Sequence, residues 1–344
     1  MNRRVAPLLL AFASAALFGS ATPASKLLLA TLPPFQLAGL LYLGAGLAMM
    51  PVVVRQPDLR LAQLDPVNRR RLFGAVMTGG LIAPVLLLAG LRLAPAGSVS
   101  LLLNLEMAAT AVLGALVFRE PLGRSGWVGV AGIGAAGALL SGGDWPGLVA
   151  ALLVAGACVC WGLDNHLTAL IDGITPAVST FWKGAVAGSV NLAIGIALFP
   201  LTVTRWQIGA ALLLGALAYG ASIALYIRAA QQLGAVRAQA VFASAPFIGA
   251  ALSYGLLREP LEPSTLLAAV LLIGSASLLF GGVHSHLHRH PSVEHVHVHR
   301  HDDHHHDHGH ADLPLTSSHS HSHRHDETVH AHPHWPDLHH RHEH

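Results

Sequence analysis

The chain has 344 residues, of which 53% are hydrophobic and only 11% are charged, and its formal net charge is +2 at pH 7. A soluble globular domain contains about 25% charged residues, so this composition excludes an ordinary soluble domain. We find no HExxH, GxSxG or phosphate-binding loop, so an enzyme is not expected. The small net charge gives no reason to expect a nucleic-acid partner.

The charged residues are distributed very unevenly along the chain. Residues 284–344 contain 24 of the 25 histidines and 9 of the 18 acidic residues. The 283 residues before them carry 25 charged side chains, and nearly everything else is apolar or small. The sequence therefore predicts a multi-pass protein of the cell (inner or plasma) membrane, with the lipid bilayer as a partner and a separate polar tail. The two cysteines, Cys158 and Cys160, lie in an apolar run and predict no disulfide framework.

Ten apolar segments are long enough to cross a bilayer, which takes about 20 residues. The first, from Val5 to Ala30, resembles a signal peptide, but its length and the similar style of the following sequence favour a membrane span. Proline, glycine and charge clusters place the spans at roughly 5–30, 34–54, 71–93, 96–118, 122–141, 146–169, 175–200, 206–228, 235–257 and 262–281.

Arginine sets the predicted orientation, because cytoplasmic loops carry an excess of basic residues. With the N-terminus inside, eleven arginines fall in inside segments and three, Arg92, Arg205 and Arg258, fall outside. We therefore expect both termini to be cytoplasmic.

An internal repeat divides the spans into two sets of five. "FREPL" (118–122) closes the fourth span, and "LREPL" (257–261) closes the ninth, 139 residues later. Five is an odd number, so the two halves must have opposite orientations, which is the architecture of many secondary transporters. The predicted fold is an all-α polytopic membrane protein with ten transmembrane helices in two inverted five-helix repeats. The expected domains are residues 1–141, residues 146–282 and a disordered histidine-rich cytoplasmic tail at 283–344.

This arrangement resembles the drug/metabolite transporter superfamily, EamA type, because each five-span half closes its fourth helix with Glu-Pro-Leu. The resemblance covers residues 1 to about 282 and implies transport by alternating access without ATP. Members commonly place a basic residue early in the second span, but that region is neutral here ("FQLAGLLYLG"). Only the matching seventh span has one, Lys183, so the resemblance implies unequal halves.

Lys183 lies in a stretch with no other charge between residues 175 and 201, and the chain has only one other lysine. A lysine at the centre of a span costs about 2.5–3.5 kcal/mol on insertion scales, and such residues usually pair inside the bundle. Asp164 and Lys183 lie at similar depths of about 12 and 16 Å from the turn between their spans, at 1.5 Å per residue. We therefore expect them to pair, with Asn165 or His166 completing the group.

Two interpretations of these residues stay open at this point. The pair either fixes the helix register, or Lys183 lines a cavity and binds an anionic group. Glu106 corresponds to Ala245 in the other half, so the repeat does not require its carboxylate; it either carries a coupling proton or is a hydrogen-bonded acid. Lys26 lies near a helix end, where it could snorkel to the interface. The candidate substrate-path residues are Lys183, Asp164, Glu106, Asn165, Asn104, His166 and Lys26.

The tail is rich in metal-ligating side chains. Neutral imidazole suits zinc, nickel, cobalt and copper ions, so we expect divalent metals as partners, although the spans require no cofactor. The alternative is a solubilising tail that responds to pH. The candidate metal ligands are His295, His297, His299, His301, His304, His305, His306, His308, His310, His339, His340, His342 and His344.

Three functions agree with these features. The first is a secondary transporter for a small organic metabolite or drug, with the tail as a metal-binding accessory. The second is a transporter whose substrate is the divalent metal, and the third is a membrane-anchored metal buffer or sensor that transports nothing. The sequence leaves the substrate, the direction, the coupling ion and the formation of a homodimer open.

Overall fold

The computed structural model of the protein describes residues 5–55, 64–119, 122–171, 174–233 and 235–280, together with four tail segments, 284–290, 293–299, 319–325 and 328–334. In the described residues before the tail, all regular structure is helical. It forms ten membrane-length segments, labelled α1 to α10.

The first half of the chain contributes five of these segments. They are α1 (Val5–Gly19 and Ala21–Leu28), α2 (Pro34–Val54), α3 (Pro66–Ala75, Val76–Ile82 and Ala83–Leu93), α4 (Ala96–Leu102 and Leu105–Leu116) and α5 (Arg124–Leu140).

The second half contributes the other five. They are α6 (Trp145–Ala169), α7 (Pro176–Leu198), α8 (Arg205–Gly215, Ala216–Ala221 and Ser222–Leu233), α9 (Ala235–Phe242 and Ala245–Leu256) and α10 (Pro263–Phe280).

Eight of the ten segments are long and apolar enough to cross a membrane. The other two, α5 with 17 residues and α10 with 18, are about 26 and 27 Å long at 1.5 Å per residue. They pack on each other, since a Cβ placed on Gly129 of α5 would lie 2.7 Å from the carbonyl oxygen of Ser275 in α10. The predicted ten-helix fold is confirmed.

The two halves share the same irregularities at matching positions. A π-helical turn interrupts α3 at Val76–Ile82, and another interrupts α8 at Ala216–Ala221. Arg119 and Arg258, 139 residues apart, both adopt the left-handed conformation, with φ of 60° and 54°. Such rare features recurring at the repeat spacing support the predicted inverted repeat, because a chance similarity of apolar helices would not reproduce them.

The α3 helix begins five residues before the predicted boundary because its start is capped. The Asp65 carboxylate accepts hydrogen bonds from the backbone N–H groups of Val67 and Asn68 at 2.7 and 3.0 Å, and Pro66 occupies the first turn. These bonds lower the pKa of the Asp65 carboxyl group, and the bond from the Asn68 N–H has the largest effect. The arginines at 69–71 therefore lie within the helix and not in the preceding loop.

Helices α2 and α7, which correspond in the two halves, cross in close contact at glycines. A Cβ on Gly184 of α7 would lie 2.6 Å from both the amide nitrogen of Gly46 and the carbonyl oxygen of Tyr42 in α2. Small residues allow helix backbones to approach in this way in a bilayer. This crossing joins the halves at the centre of the bundle.

Replacing Gly184 with alanine is therefore expected to destabilise the protein by about 1–3 kcal/mol, because the two backbones must separate. The matched control is Gly134→Ala in α5, where an added Cβ meets nothing within 4 Å. Thermal unfolding in detergent should show a lower melting temperature for Gly184→Ala only. Equal melting temperatures for the two variants would contradict this description of the crossing.

The bundle has two ends that differ in basic residues. Among the described residues, helix ends at one side carry Arg55, Arg69, Arg70, Arg71, Arg119, Arg124, Arg228 and Arg237. Helix ends at the other side carry Arg92, Arg205 and Arg258. We refer to these sides as the arginine-rich end and the arginine-poor end.

The described segments of the tail are extended. Four seven-residue strands, β1 (His284–His290), β2 (Val293–His299), β3 (His319–His325) and β4 (Thr328–His334), form two antiparallel pairs, β1 with β4 and β2 with β3. The reason is visible in the sequence, because histidine alternates with other residues in each strand, and a period of two is typical of β-structure.

Candidate functional site

A cavity of about 1080 Å³ lies within the helix bundle. Its lining includes mid-helix residues such as Tyr42 and Glu106 and residues towards the arginine-rich end, such as Ser125, Pro176 and Gln239. No described residue of the helix ends at the arginine-poor side lines it. The cavity therefore extends from the middle of the bundle towards the arginine-rich end and is closed on the other side.

The predicted pair of Asp164 and Lys183 lies in this cavity. The Lys183 Nζ donates to Asp164 Oδ1 at 2.5 Å, and 15% of the lysine side chain and 11% of the aspartate side chain remain exposed. Thr168 completes the group, since its Oγ1 accepts from Lys183 Nζ and donates to Asp164 Oδ1, each at 2.9 Å. Thr168 lies four residues after Asp164 and so shares its helix face, whereas the expected third members, Asn165 and His166, do not.

Gly79, in the π turn of α3, leaves the space for this ion pair. A Cβ on Gly79 would lie 2.7 Å from the Asp164 Cβ, so only glycine leaves room for the carboxylate there. The Gly79 carbonyl oxygen accepts hydrogen bonds from Tyr42 Oη at 2.5 Å and Trp161 Nε1 at 3.1 Å. Asn191 Nδ2 donates to the Leu81 carbonyl oxygen at 3.2 Å. A π turn frees carbonyl groups from the helix ladder, and these side chains satisfy them.

Glu106 provides a second polar group in the cavity. Its Oε1 accepts from Asn165 Nδ2 at 2.9 Å, which links α4 to α6. Within the described part of the chain, the cavity-lining residues with a formal charge are Glu106, Asp164 and Lys183. Since Lys183 is paired with Asp164, the Glu106 carboxylate is the one without a cationic partner in this set.

Asn104 lies at the break in α4 and also lines the cavity. Its Nδ2 donates to the Leu101 carbonyl oxygen at 2.8 Å, while its buried Oδ1 has no hydrogen-bond partner. Ser179, another lining residue, has a buried Oγ without a partner. Buried polar atoms are nearly always hydrogen-bonded in proteins, so two such atoms around one cavity indicate unused capacity to bind a polar group.

Aromatic side chains form much of the remaining wall. Tyr42 stacks on Tyr219 with ring centroids 5.9 Å apart, Tyr219 meets Phe18 edge to face at 5.8 Å, and Phe18 contacts Phe242 at 5.3 Å. Trp161 lines the same cavity. The site thus combines an apolar, aromatic surface with a few polar groups, which is the usual composition of a small-molecule site.

Two of the predicted residues do not line the cavity. Lys26 donates instead to the carbonyl oxygens of Leu91 and Ala94, at 2.6 and 2.8 Å, at the arginine-poor end. His166 bonds to the Thr110 carbonyl oxygen at 2.9 Å and stacks on a phenylalanine ring outside the lining set. Lys26 is near a helix end, and its chain reaches the free carbonyls of α3 and not the bundle centre.

Sequence reasoning missed several lining residues. Tyr42, Trp161, Thr168, Ser179 and Tyr219 are uncharged and lie in apolar spans, so an inventory of ionisable residues does not reveal them. The threonine alone had a signal in the sequence, which was its spacing of four residues from Asp164.

The metal-ligand prediction concerns the tail. Among the residues whose side chains the structure describes, no group of three His, Cys, Asp or Glu residues could hold a metal ion. Of the predicted ligands, His295, His297 and His299 lie in β2. The others lie outside the described residues: His301, His304, His305, His306, His308, His310, His339, His340, His342 and His344.

The register of the strands adds histidines that the prediction did not include. Cα partners across β2 and β3 are His295 with His323, His297 with His321 and His299 with His319. Three more histidine pairs occur across β1 and β4, namely His284 with His334, His286 with His332 and His288 with His330.

Comparisons with known proteins agree with this geometry. A model of the EamA-like transporter family matches residues 5–142 and 148–281. An uncharacterized transporter of Methanothermobacter thermautotrophicus is 26% identical over 290 residues, covering 76% of this chain and 82% of the relative. A crystal structure described only as that of a protein matches with a TM-score of 0.54 and 18% identity, covering 80% of this chain and 97% of that chain. The last similarity concerns the fold alone.

Proposed function

Because this chain belongs to the EamA-like transporter family, we propose that it is a secondary transporter that moves a small organic metabolite or drug across the cell membrane by alternating access. Membrane transport of a small substrate follows from the family. The organic nature of the substrate and the residues that bind it are our proposal.

The observation that carries the proposal is the composition of the cavity. An aromatic wall with Tyr42, Tyr219 and Trp161 surrounds the Asp164–Lys183 pair and the Glu106 carboxylate. Such a site suits a molecule with an apolar body and a polar or charged head group. A divalent metal would need several convergent oxygen or imidazole ligands without a competing cation, so the paired lysine argues against metal as the substrate.

The distribution of arginines supports a cytoplasmic opening of this cavity, whether the protein exports or imports its substrate. The cavity opens at the arginine-rich end, and basic residues favour the cytoplasmic side. We therefore propose that this conformation faces the cytoplasm, with both termini on that side.

Transport assays with the full chain in proteoliposomes test this function. Uptake and efflux of a panel of radiolabelled amino acids should be compared with those of zinc and nickel ions, with empty liposomes as the control. The proposal expects saturable movement of at least one organic compound. Saturable movement of metal alone would establish the alternative function, and movement of neither would favour the metal buffer.

The tail supports a second, accessory role in binding divalent metal such as zinc, nickel, cobalt or copper. The specific observation is the register, which sets histidine opposite histidine at six positions. Residues directly opposite in antiparallel strands have Cβ atoms about 4.5–5.5 Å apart, which is a spacing at which two imidazole groups can share a metal ion.

Truncation after residue 282 is expected to remove metal binding and to leave basal transport of an organic substrate within about twofold of the full chain. The reason is that the described residues that line the cavity all precede the tail, while the paired histidines lie in it. Equilibrium dialysis with zinc measures the first effect and proteoliposome uptake the second. Full zinc binding by the truncated protein would refute the accessory role of the tail.

A further inference from the structure

We infer that the carboxylate of Glu259 is the gate of the arginine-poor end, which holds this end closed while the cavity is open at the other. The inference rests on the proposed alternating access. It assigns a positioning role to Glu259, which belongs to the second repeat signature at 257–261. We refer to Glu259 with the amide groups of Ala96 and Gly97 as the clasp.

The clasp connects the two halves of the protein by two hydrogen bonds. The backbone N–H of Ala96 donates to one oxygen of Glu259 at 2.7 Å, and that of Gly97 donates to the other at 2.8 Å. These amides open α4 in the first half, while Glu259 follows α9 in the second. Amide groups at a helix start have no partner within the helix, and hydrogen bonds to an ionised acceptor are roughly twice as strong as neutral ones.

The local sequence places the carboxylate in this position. Arg258 is held in the left-handed conformation with φ of 54°, which is strained for a residue other than glycine. Proline at 260 fixes the following turn. Such strain persists where the surrounding contacts determine it, and here the turn of the chain brings Glu259 to α4.

The helices joined by the clasp also fit closely beneath it. A Cβ on Gly97 would lie 2.6 Å from the Tyr254 Cε2 of α9. A turn further along α4, Ser100 is 1% exposed, and its Oγ would lie 3.0 Å from a Cβ on Gly249 of α9. The α4–α9 contact is thus tightly packed from the clasp inwards, so a solute cannot pass there.

Lys26 supports the same end of the molecule. Its ammonium group is anchored on the carbonyl oxygens of Leu91 and Ala94, just before α4 begins, and it interacts electrostatically with Glu259. The two hydrogen bonds give Lys26 a role although it does not line the cavity. They tie α1 to the end of α3.

Other hydrogen bonds at this end cross between the halves but involve neutral groups. Gln36 Nε2 donates to the Phe199 carbonyl oxygen at 2.9 Å, and Gln207 Nε2 donates to Thr31 Oγ1 at 3.0 Å. The clasp is the contact among these that joins an ionised group to two donors. Opening this end requires α4 and α9 to separate, so the clasp must release in each transport cycle.

The test uses the full chain with Cys158 and Cys160 replaced by alanine, and one new cysteine as a reporter. Ser100→Cys reports on the arginine-poor end. Ala111→Cys, in the cavity lining of α4, reports on the open side. The rate of reaction with a membrane-impermeant methanethiosulfonate reagent is measured for each in proteoliposomes of defined orientation.

Glu259→Gln should raise the reaction rate at the Ser100→Cys reporter at least tenfold and lower it at the Ala111→Cys reporter. Glutamine keeps one acceptor oxygen but presents an amide donor to the second backbone N–H, so the clasp loses its charge and one bond. The reciprocal change is essential, because general loosening of the structure would not slow the reaction in the cavity. The matched control is Glu262→Gln, whose carboxylate is exposed and accepts from Ser264 Oγ at 3.2 Å.

Unchanged rates at both reporters in folded Glu259→Gln protein would overturn the clasp. If that variant does not fold, Glu259→Asp is used instead, because its shorter side chain keeps the charge but cannot reach both amide groups. A reaction rate at the Ser100→Cys reporter equal to that of wild type would again overturn the inference. The measurement needs no substrate. A failure of the clasp is therefore distinguishable from a failure of the proposed transport function.

Discussion

Replacing Lys183 with methionine should reduce the rate of transport about 100-fold or more. The replacement removes the ammonium group that we propose binds the substrate, and a hydrogen bond to a charged group contributes about 1.5–3 kcal/mol. The upper part of this range applies because only 15% of the lysine side chain is exposed, and about 3 kcal/mol of binding free energy corresponds to two factors of ten. Uptake in proteoliposomes, normalised to the amount of inserted protein, measures the loss.

The double replacement of Asp164 with asparagine and Lys183 with methionine separates the two interpretations of the pair. It removes both charges, so no unpaired carboxylate remains to disturb the fold. If Lys183 binds an anionic group of the substrate, the double variant stays inactive although its melting temperature recovers. Normal transport by the double variant would show that the pair serves only the helix register.

The architecture was predictable from the sequence because it depends on repeated, strong signals. Membrane spans are recognisable by their length and apolar content, and the Glu-Pro-Leu signatures at 120–122 and 259–261 indicate the repeat. The π turns at Val76–Ile82 and Ala216–Ala221 were not predictable. In the first of them, Tyr42 and Asn191 from other helices donate to carbonyl groups of the turn, and no local pattern predicts such contacts.

The candidate site was predictable in part, because an ionisable residue inside a span is also a strong signal. An ionisable residue in a span must find a partner, so the pairing of Asp164 with Lys183 followed from cost and depth alone. The bond between Glu106 and Asn165 joins two helices whose contact no local pattern specifies. The position of Lys26 was not predictable in this way, because its partners are backbone carbonyl groups at a helix end and not a carboxylate.

The arrangement of charges suggests a division of roles in the cavity. Lys183 and Asp164 neutralise each other, and Thr168 contacts both, so this group can bind a polar head group without a net charge. Glu106 stands apart on α4 with a neutral amide as its partner. A carboxyl group in that situation can take up and release a proton without breaking an ion pair.

Replacing Glu106 with glutamine should therefore uncouple transport from a proton gradient. Glutamine has nearly the same shape, and its carbonyl oxygen can still accept from Asn165, so the geometry of the cavity is retained. We expect uptake driven by a pH gradient to fall about tenfold, because accumulation then lacks its proton carrier. Exchange of labelled for unlabelled substrate at equal pH should stay within about twofold of wild type, since exchange requires no net proton movement.

The control for this prediction is Asn165→Ala, which removes the hydrogen bond to Glu106 but keeps the carboxyl group. It is expected to reduce gradient-driven uptake and exchange by the same factor, because it changes the cavity without removing the proton carrier. The ratio of the two rates is thus the decisive quantity, and it should drop only in Glu106→Gln. Gradient-driven accumulation at the wild-type level in that variant would rule out Glu106 as the coupling group and leave it as a hydrogen-bond acceptor that positions α6 against α4.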